Sequence, residues 1–370
     1  MGYENNNGSR GGKRVMRSRS RMNGGGWLLP AILICLVLAG AAGAMALRTY
    51  PGRAEEGTAV PESAESAEAA ENTGEGRGEG AADGELFAEP EPEAVLLTEE
   101  VQSEYAILLD ADTGTVIAEK NMDERMYPAS MTKVLTLLVA AEHLPHSGGT
   151  FTMTRAIADY CFVNECSVVG YEVGEKIPLS ELFYGCIMCS GADACLALAE
   201  LSAGSHEAFV EWMNEKLGEL GLSGTMHCTN CVGVFDEEHY STARDMALVM
   251  KAALEDEFCR EVLSRHILTS EPTEEHPDGQ VLSNWFLRRI EDQDTGTVTV
   301  ACGKTGYVPE SGSCAVSYGE NESGGRYICV TGKSASSWQT IYDHAALYQE
   351  LCSDHMAVQP DESGAAIEQG

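Results

Sequence analysis

The chain has 370 residues, enough for two domains, with 58 Asp and Glu against 24 Lys and Arg for a formal net charge of −34. That balance excludes general binding to nucleic-acid phosphates, which needs clustered Lys and Arg, and it disfavours polyanionic surface polymers as electrostatic partners. Much of the N-terminal quarter lacks the large apolar residues that a core requires.

Residues 1–26 carry a basic cluster of Arg10, Lys13, Arg14, Arg17, Arg19 and Arg21. Residues 27–47, from Trp27 to Leu47, are apolar and uncharged. As a helix they would span roughly 30 Å, the thickness of a bilayer core. Basic sequence before the run and acidic sequence after it predict a single-pass membrane helix with the N-terminus inside and the remainder outside. A cleavable signal peptide ending at Ala44-Met45-Ala46 is the alternative, and it also exports the chain. Residues 48–94 are rich in Glu, Ala, Gly and Pro and read as a disordered acidic linker with a reach of roughly 40 Å.

Globular sequence is expected over residues 95–353, followed by a disordered tail, 354–370. Residues 105–110 and 115–120 read as two strands around the turn Ala111-Asp112-Thr113-Gly114. An apolar helix over 131–144 is opened by Pro128 and Ser130. The spacing of Phe209, Val210, Met213, Leu217 and Leu220 predicts a helix over 206–220. Ser241 or Thr242 is placed to cap another helix carrying Met246, Val249, Met250 and Leu254. Residues 297–301, 313–318 and 326–331 alternate like antiparallel strands, and a last helix covers 337–352. Strands, a helical block, strands and a helix make an α+β domain with one antiparallel sheet.

Three short motifs carry chemistry. In Ser130-Met131-Thr132-Lys133 a helix start puts the hydroxyl and the amine on one face. A lysine whose pKa is lowered by burial or a neighbouring cation can take the proton of a serine nucleophile. Ser190-Gly191-Ala192, between two helical stretches, offers a hydroxyl to relay a proton. Lys304-Thr305-Gly306, on a late strand, offers a second cation, a hydroxyl for a substrate carboxylate, and a glycine that permits close approach to the strand.

Together with Tyr127-Pro128-Ala129 before the first motif, Asp193-Ala194 after the second and the segment His239 to Asp245, these residues resemble the D-alanyl-D-alanine carboxypeptidases, the low-molecular-mass penicillin-binding serine peptidases. The resemblance runs over residues 105–351. It implies a β-lactamase-like transpeptidase fold and removal of the terminal D-Ala from peptidoglycan stem peptides. Ser130 would form the acyl-enzyme, Lys133 would be the base, and Ser190 with Lys304 would complete proton transfer. Thr305, Gly306 and Tyr307 would line the substrate site, with the backbone N–H groups of Ser130 and Tyr307 as the oxyanion hole. β-Lactam antibiotics would acylate the same serine, and no cofactor or metal is expected. Many members carry a further C-terminal β-rich domain and an amphipathic anchor. This chain stops soon after its last helix, so both are expected to be absent and the N-terminal span to replace the anchor.

The sequence departs from the family pattern at three places. Ala192 stands where an Asn is usual, and Val308 where Thr or Ser is usual. The basic residue near the start of the last helix has no clear counterpart beyond Lys333. A β-lactamase and a non-catalytic wall-binding or sensor domain are the competing functions. His227 and His239 are expected to make structural hydrogen bonds, and Asp193 to cap a helix. The chain has 13 cysteines, including Cys186-Ile187-Met188-Cys189 and Cys228-Thr229-Asn230-Cys231. They are read as small buried residues, as disulfides, or as zinc half-sites, alternatives that spacing alone leaves open.

Overall fold

The computed structural model describes residues 90–98 and 101–353, all within the unit Gly80–Gly370. The expected membrane helix, the greater part of the acidic linker and the tail lie outside the described residues. Among the described residues no helix is long and apolar enough to cross a membrane.

The described chain opens with β1 (Pro90–Leu96), β2 (Tyr105–Asp110) and β3 (Val116–Lys120). A 3₁₀ turn, Ala129–Thr132, then runs into α1 (Lys133–His143). The helical block continues through β4 (Thr150–Thr152), α2 (Arg155–Val163), β5 (Lys176–Pro178), α3 (Leu179–Met188), α4 (Ala192–Ala203) and α5 (His206–Glu219). It ends with α6 (Ala243–Glu255), α7 (Glu257–Leu263) and the short pair β6 (Ile267–Thr269) and β7 (Val281–Ser283). The chain returns to the sheet through α8 (Trp285–Ile290), β8 (Val298–Val308), β9 (Gly312–Asn321), β10 (Arg326–Ser334) and α9 (Ser337–Leu351).

The main sheet has the order β1-β3-β2-β10-β9-β8. It is mixed, not wholly antiparallel as the alternating segments predict, because β1 runs parallel to β3. β2 is already paired on both sides by β3 and β10, and β1 joins at the free edge of β3. It begins at Pro90, inside the residues read as linker, and prolines, which cannot donate to a ladder, belong on such an edge strand. The three C-terminal strands are longer than their alternation predicts, and the extension of β8 carries Lys304, Thr305 and Gly306.

Helix α1 lies at the centre of the main core, with every residue from Lys133 to Ala141 buried. It packs against α3, α4, α5, α6 and α7. The predicted cap of α6 is Thr242, whose side chain accepts from Asp245 N–H while the Asp245 carboxylate accepts from Thr242 N–H. Such a reciprocal cap contributes about 1 kcal/mol. Along α5, Phe209, Met213 and Leu217 of the predicted face are buried, with Val210 and Leu220 half-buried.

Helix α9 packs on β9 and β10. It is held by Asp343, which accepts from Ser103 N–H and Ser103 Oγ, and by buried His344 and Tyr348, both bonded to Ser317. Helix α8 packs on α9 and on β8, where Gly303 leaves room for it: a Cβ there would come within 2.3 Å of the Phe286 ring. All twelve described cysteines are free thiols and ten of them are buried. Among the described residues no group of three or more His, Cys, Asp or Glu side chains is arranged to hold a metal ion.

Candidate active site

The turn that presents Ser130 is strained into place. Ala129 has φ +46°, in the left-handed region that non-glycine residues rarely adopt, and the 3₁₀ turn it opens leaves Ser130 half-exposed at the head of α1. The expected helix start at Met131 is therefore replaced by this tighter turn, with the α-helix proper beginning at Lys133. Lys133 is 2% exposed, and its Nζ lies 2.8 Å from Ser130 Oγ. The amine also donates to the carbonyl of Val232.

Val232 belongs to the loop that carries Cys228 and Cys231. Asn230 Oδ1 accepts from the N–H groups of Val232, Gly233 and Val234 and fixes the loop. Gly233 has φ +79°, and a Cβ on it would come within 2.0 Å of Ala129 O. The loop backbone thus lies directly against the Ser130 turn. The signal that was available is an Asn followed three residues later by Gly, a turn pattern whose partner is about a hundred residues away.

Ser190 lies between α3 and α4 with φ +55°. The segment before α2's successor strand closes over this junction: Ala192 N–H donates to Ser167 O, and the Asp193 carboxylate accepts from Val169 and Gly170 N–H. Asp193 is therefore not the expected helix cap. Gly191 occupies the cap position, and Asp193, the second residue of the helix, ties down the segment that passes in front of it. Ala192 is 1% exposed and belongs to the main core.

Lys304, on β8, completes the group. Its Nζ lies 3.0 Å from Ser190 Oγ and 2.6 Å from Thr305 O, and the residue is 2% exposed. Burial, reinforced by the neighbouring Lys133 charge, lowers its pKa to about 7. The next glycine brings the strand against Ser130: a Cβ on Gly306 would lie 2.9 Å from Pro128 O and 3.0 Å from Ser130 N. Tyr307 pairs with Ser313 across β9 and leaves its side chain 65% exposed. Ser130, Ser190, Lys304, Thr305, Gly306 and Tyr307 all line one cavity of about 620 Å³, with Lys133 buried behind Ser130. The volume suits a peptide terminus.

Lys304 also makes a stability prediction. Its folded pKa lies below the ordinary 10.5, so the folded protein binds fewer protons than the unfolded chain between about pH 7 and 10.5. Its contribution to stability is complete above pH 10.5 and is lost as pH falls to 7. Lys304→Met is expected to melt above the parent at pH 6, with the difference shrinking toward pH 10. Denaturant titrations of both proteins at pH 6, 8 and 10 check this, and a pH-independent difference would contradict it.

The remaining candidates are structural. His239 Nδ1 accepts from Thr229 N–H, which puts the ring proton on Nε2 facing Thr132 Oγ1 at 2.8 Å. Burial lowers its pKa to about 4, so it buttresses the turn before α1 as a neutral ring. His227 bonds the Glu238 carbonyl. Lys333 pairs with Glu104 at 2.7 Å and does not line the cavity, so it does not stand in for the missing basic residue. Val308 donates its N–H to Ser311 Oγ and is likewise not a lining residue.

A sequence profile of the D-alanyl-D-alanine carboxypeptidases matches residues 90–335. The D-alanyl-D-alanine carboxypeptidase DacF of Bacillus subtilis is 38% identical over 156 residues, covering 42% of this chain and 40% of that protein. DacA of Escherichia coli is 36% identical over 168 residues, covering 42% and 40%. The chain thus spans about two fifths of the length of these curated relatives. Among solved structures, penicillin binding protein 5 from Haemophilus influenzae is similar with a TM-score of 0.61 and 26% identity, covering 67% of this chain and 70% of that one. A D-alanyl-D-alanine carboxypeptidase from Mycobacterium tuberculosis gives a TM-score of 0.58 at 25% identity, covering 70% and 91%.

Proposed function

The chain belongs to the D-alanyl-D-alanine carboxypeptidase family, and on that premise we propose that it removes the terminal D-Ala from peptidoglycan stem peptides through an acyl-enzyme on Ser130. The observation that carries this reading is the pairing of two Ser–Lys contacts on one cavity, Ser130 with Lys133 and Ser190 with Lys304.

In the proposed reaction Lys133, in its neutral form, takes the Ser130 proton as Oγ attacks the carbonyl carbon of the penultimate D-Ala. The oxyanion is met by the N–H groups of Ser130 and Tyr307, which the close approach of β8 to the nucleophile turn supports. The C–N bond breaks, and Ser190 passes a proton from the lysine pair to the leaving D-Ala amine. Water then cleaves the ester and restores Ser130. A β-lactam ring opened by the same serine would remain as a persistent acyl-enzyme. No Asp or Glu is among the described residues lining the cavity, so there is no carboxylate on its wall to activate a deacylating water quickly, which favours a penicillin target over a β-lactamase. The N-terminal apolar run and acidic linker support the further proposal that the domain is tethered outside the cytoplasmic membrane.

The full chain in detergent is expected to release D-alanine from a Lys-D-Ala-D-Ala peptide and to bind one fluorescent penicillin. Protease added to intact cells should release a penicillin-reactive fragment cut between residues 48 and 90. Absence of both D-alanine and adduct would overturn the catalytic reading. A fragment that protease cannot reach would overturn the location alone.

A further inference from the structure

A carboxypeptidase substrate ends in a carboxylate, and that anion must be held while the bond before it is cut. Two cationic side chains are among the described residues lining the cavity, Lys304 and Arg289. Lys304 is committed to Ser190 Oγ and to the Thr305 carbonyl. Arg289 is held differently. It projects from the last turn of α8, with its guanidinium carbon 4.5 Å from the ring centroid of Trp285 and 4.9 Å from that of Trp338.

Those two indoles come from α8 and from the first turn of α9, so the guanidinium is gripped by two separate elements. Ring faces attract the cation while leaving the N–H groups in its plane free to meet an anion. α8 is itself fixed to the motif strand, since Asn284 caps it through Phe286 and Leu287 N–H and donates its amide to Gly303 O. Gly303 immediately precedes Lys304. The position of Arg289 is therefore tied to the strand that carries Thr305.

The surrounding charge points the same way. The chain holds 58 acidic residues, yet none is among the described residues lining this cavity. The neighbouring Arg288 faces Glu291 at 3.8 Å, whereas Arg289 turns to the two indoles. The first turn of α9 reads Ser337-Trp338-Gln339, with no basic residue. Resting on the carboxypeptidase reading, we propose that Arg289 is a specificity residue that binds the C-terminal carboxylate of the substrate from α8, with the Thr305 hydroxyl beside it.

The test is kcat/KM on two peptides that differ only at the end, one with the free D-Ala carboxylate and one with a carboxamide. Arg289→Ala should lower kcat/KM on the free acid by about 10- to 100-fold, the scale of a charge-assisted pair, mainly through KM. It should change the carboxamide by less than about threefold, a surface-scale effect. Arg289→Lys should recover part of the loss on the free acid. Equal losses on both peptides would assign Arg289 a merely structural role and overturn the proposal. If the parent cleaves neither peptide, the carboxypeptidase reading fails separately, and the same comparison is made on Ser130 acylation by a penicillin and its methyl ester. A selective loss on the penicillin acid then upholds the anion site, and equal losses overturn it.

Discussion

Ser130→Ala is expected to abolish the penicillin adduct and to bring D-alanine release to background. The substitution removes one oxygen whose described hydrogen-bond partner is Lys133 Nζ, on a half-exposed residue in the turn that precedes α1. Stability should therefore change little, by about 1 kcal/mol or less, while the nucleophile is lost outright. Loss of a serine nucleophile in a concerted group costs on the order of a millionfold in turnover. Intact-protein mass spectrometry after incubation with penicillin, alongside a thermal melt, reads both quantities. An adduct that persists in the folded variant would place the nucleophile elsewhere.

Lys133→Gln should slow acylation by about 10²- to 10⁴-fold, the range for removing a positioned general base. The amide can still donate to the Val232 carbonyl, so the loop held by Asn230 keeps its anchor. The hydroxyl of Ser130 would remain but without a group to take its proton. Acylation would then be restored in part at high pH, where hydroxide can act. Stopped-flow acylation across pH distinguishes this from misfolding, which would not recover. An undiminished rate at neutral pH would transfer the base role to Lys304, whose pKa of about 7 also suits it.

Much of this site was legible in the sequence because its chemistry sits in contiguous motifs. Ser130 and Lys133 are three residues apart on one turn, and Lys304, Thr305 and Gly306 are consecutive on one strand. Caps such as Thr242 and stripes such as Phe209, Met213 and Leu217 are also local signals. The misses that shape the site are mostly long-range. The Asn230 loop matters because it folds back on Ala129, and Arg289 because two tryptophans 53 positions apart converge on it. β1 alternates poorly and contains two prolines, so only the free edge of β3 makes it a strand. Asp193 looked like a cap because it follows Gly191 at the start of α4. It is a clamp because the 167–170 segment happens to pass in front of it.

The cysteines give the protein a built-in record of its own opening. Thiolates, not thiols, react with alkylating reagents, and burial pushes the Cys228, Cys302, Cys314 and Cys352 thiols up to about 12. In the native state a reagent meets Cys166 and Cys189, the two half-exposed thiols, and reaches the other ten described ones only when their surroundings separate. Those ten are spread over α2, α3, α4, α7, all three C-terminal strands, the Asn230 loop and the end of α9. Timed alkylation of the unmodified chain, read peptide by peptide, would therefore rank these parts by how often each comes apart, with no probe introduced.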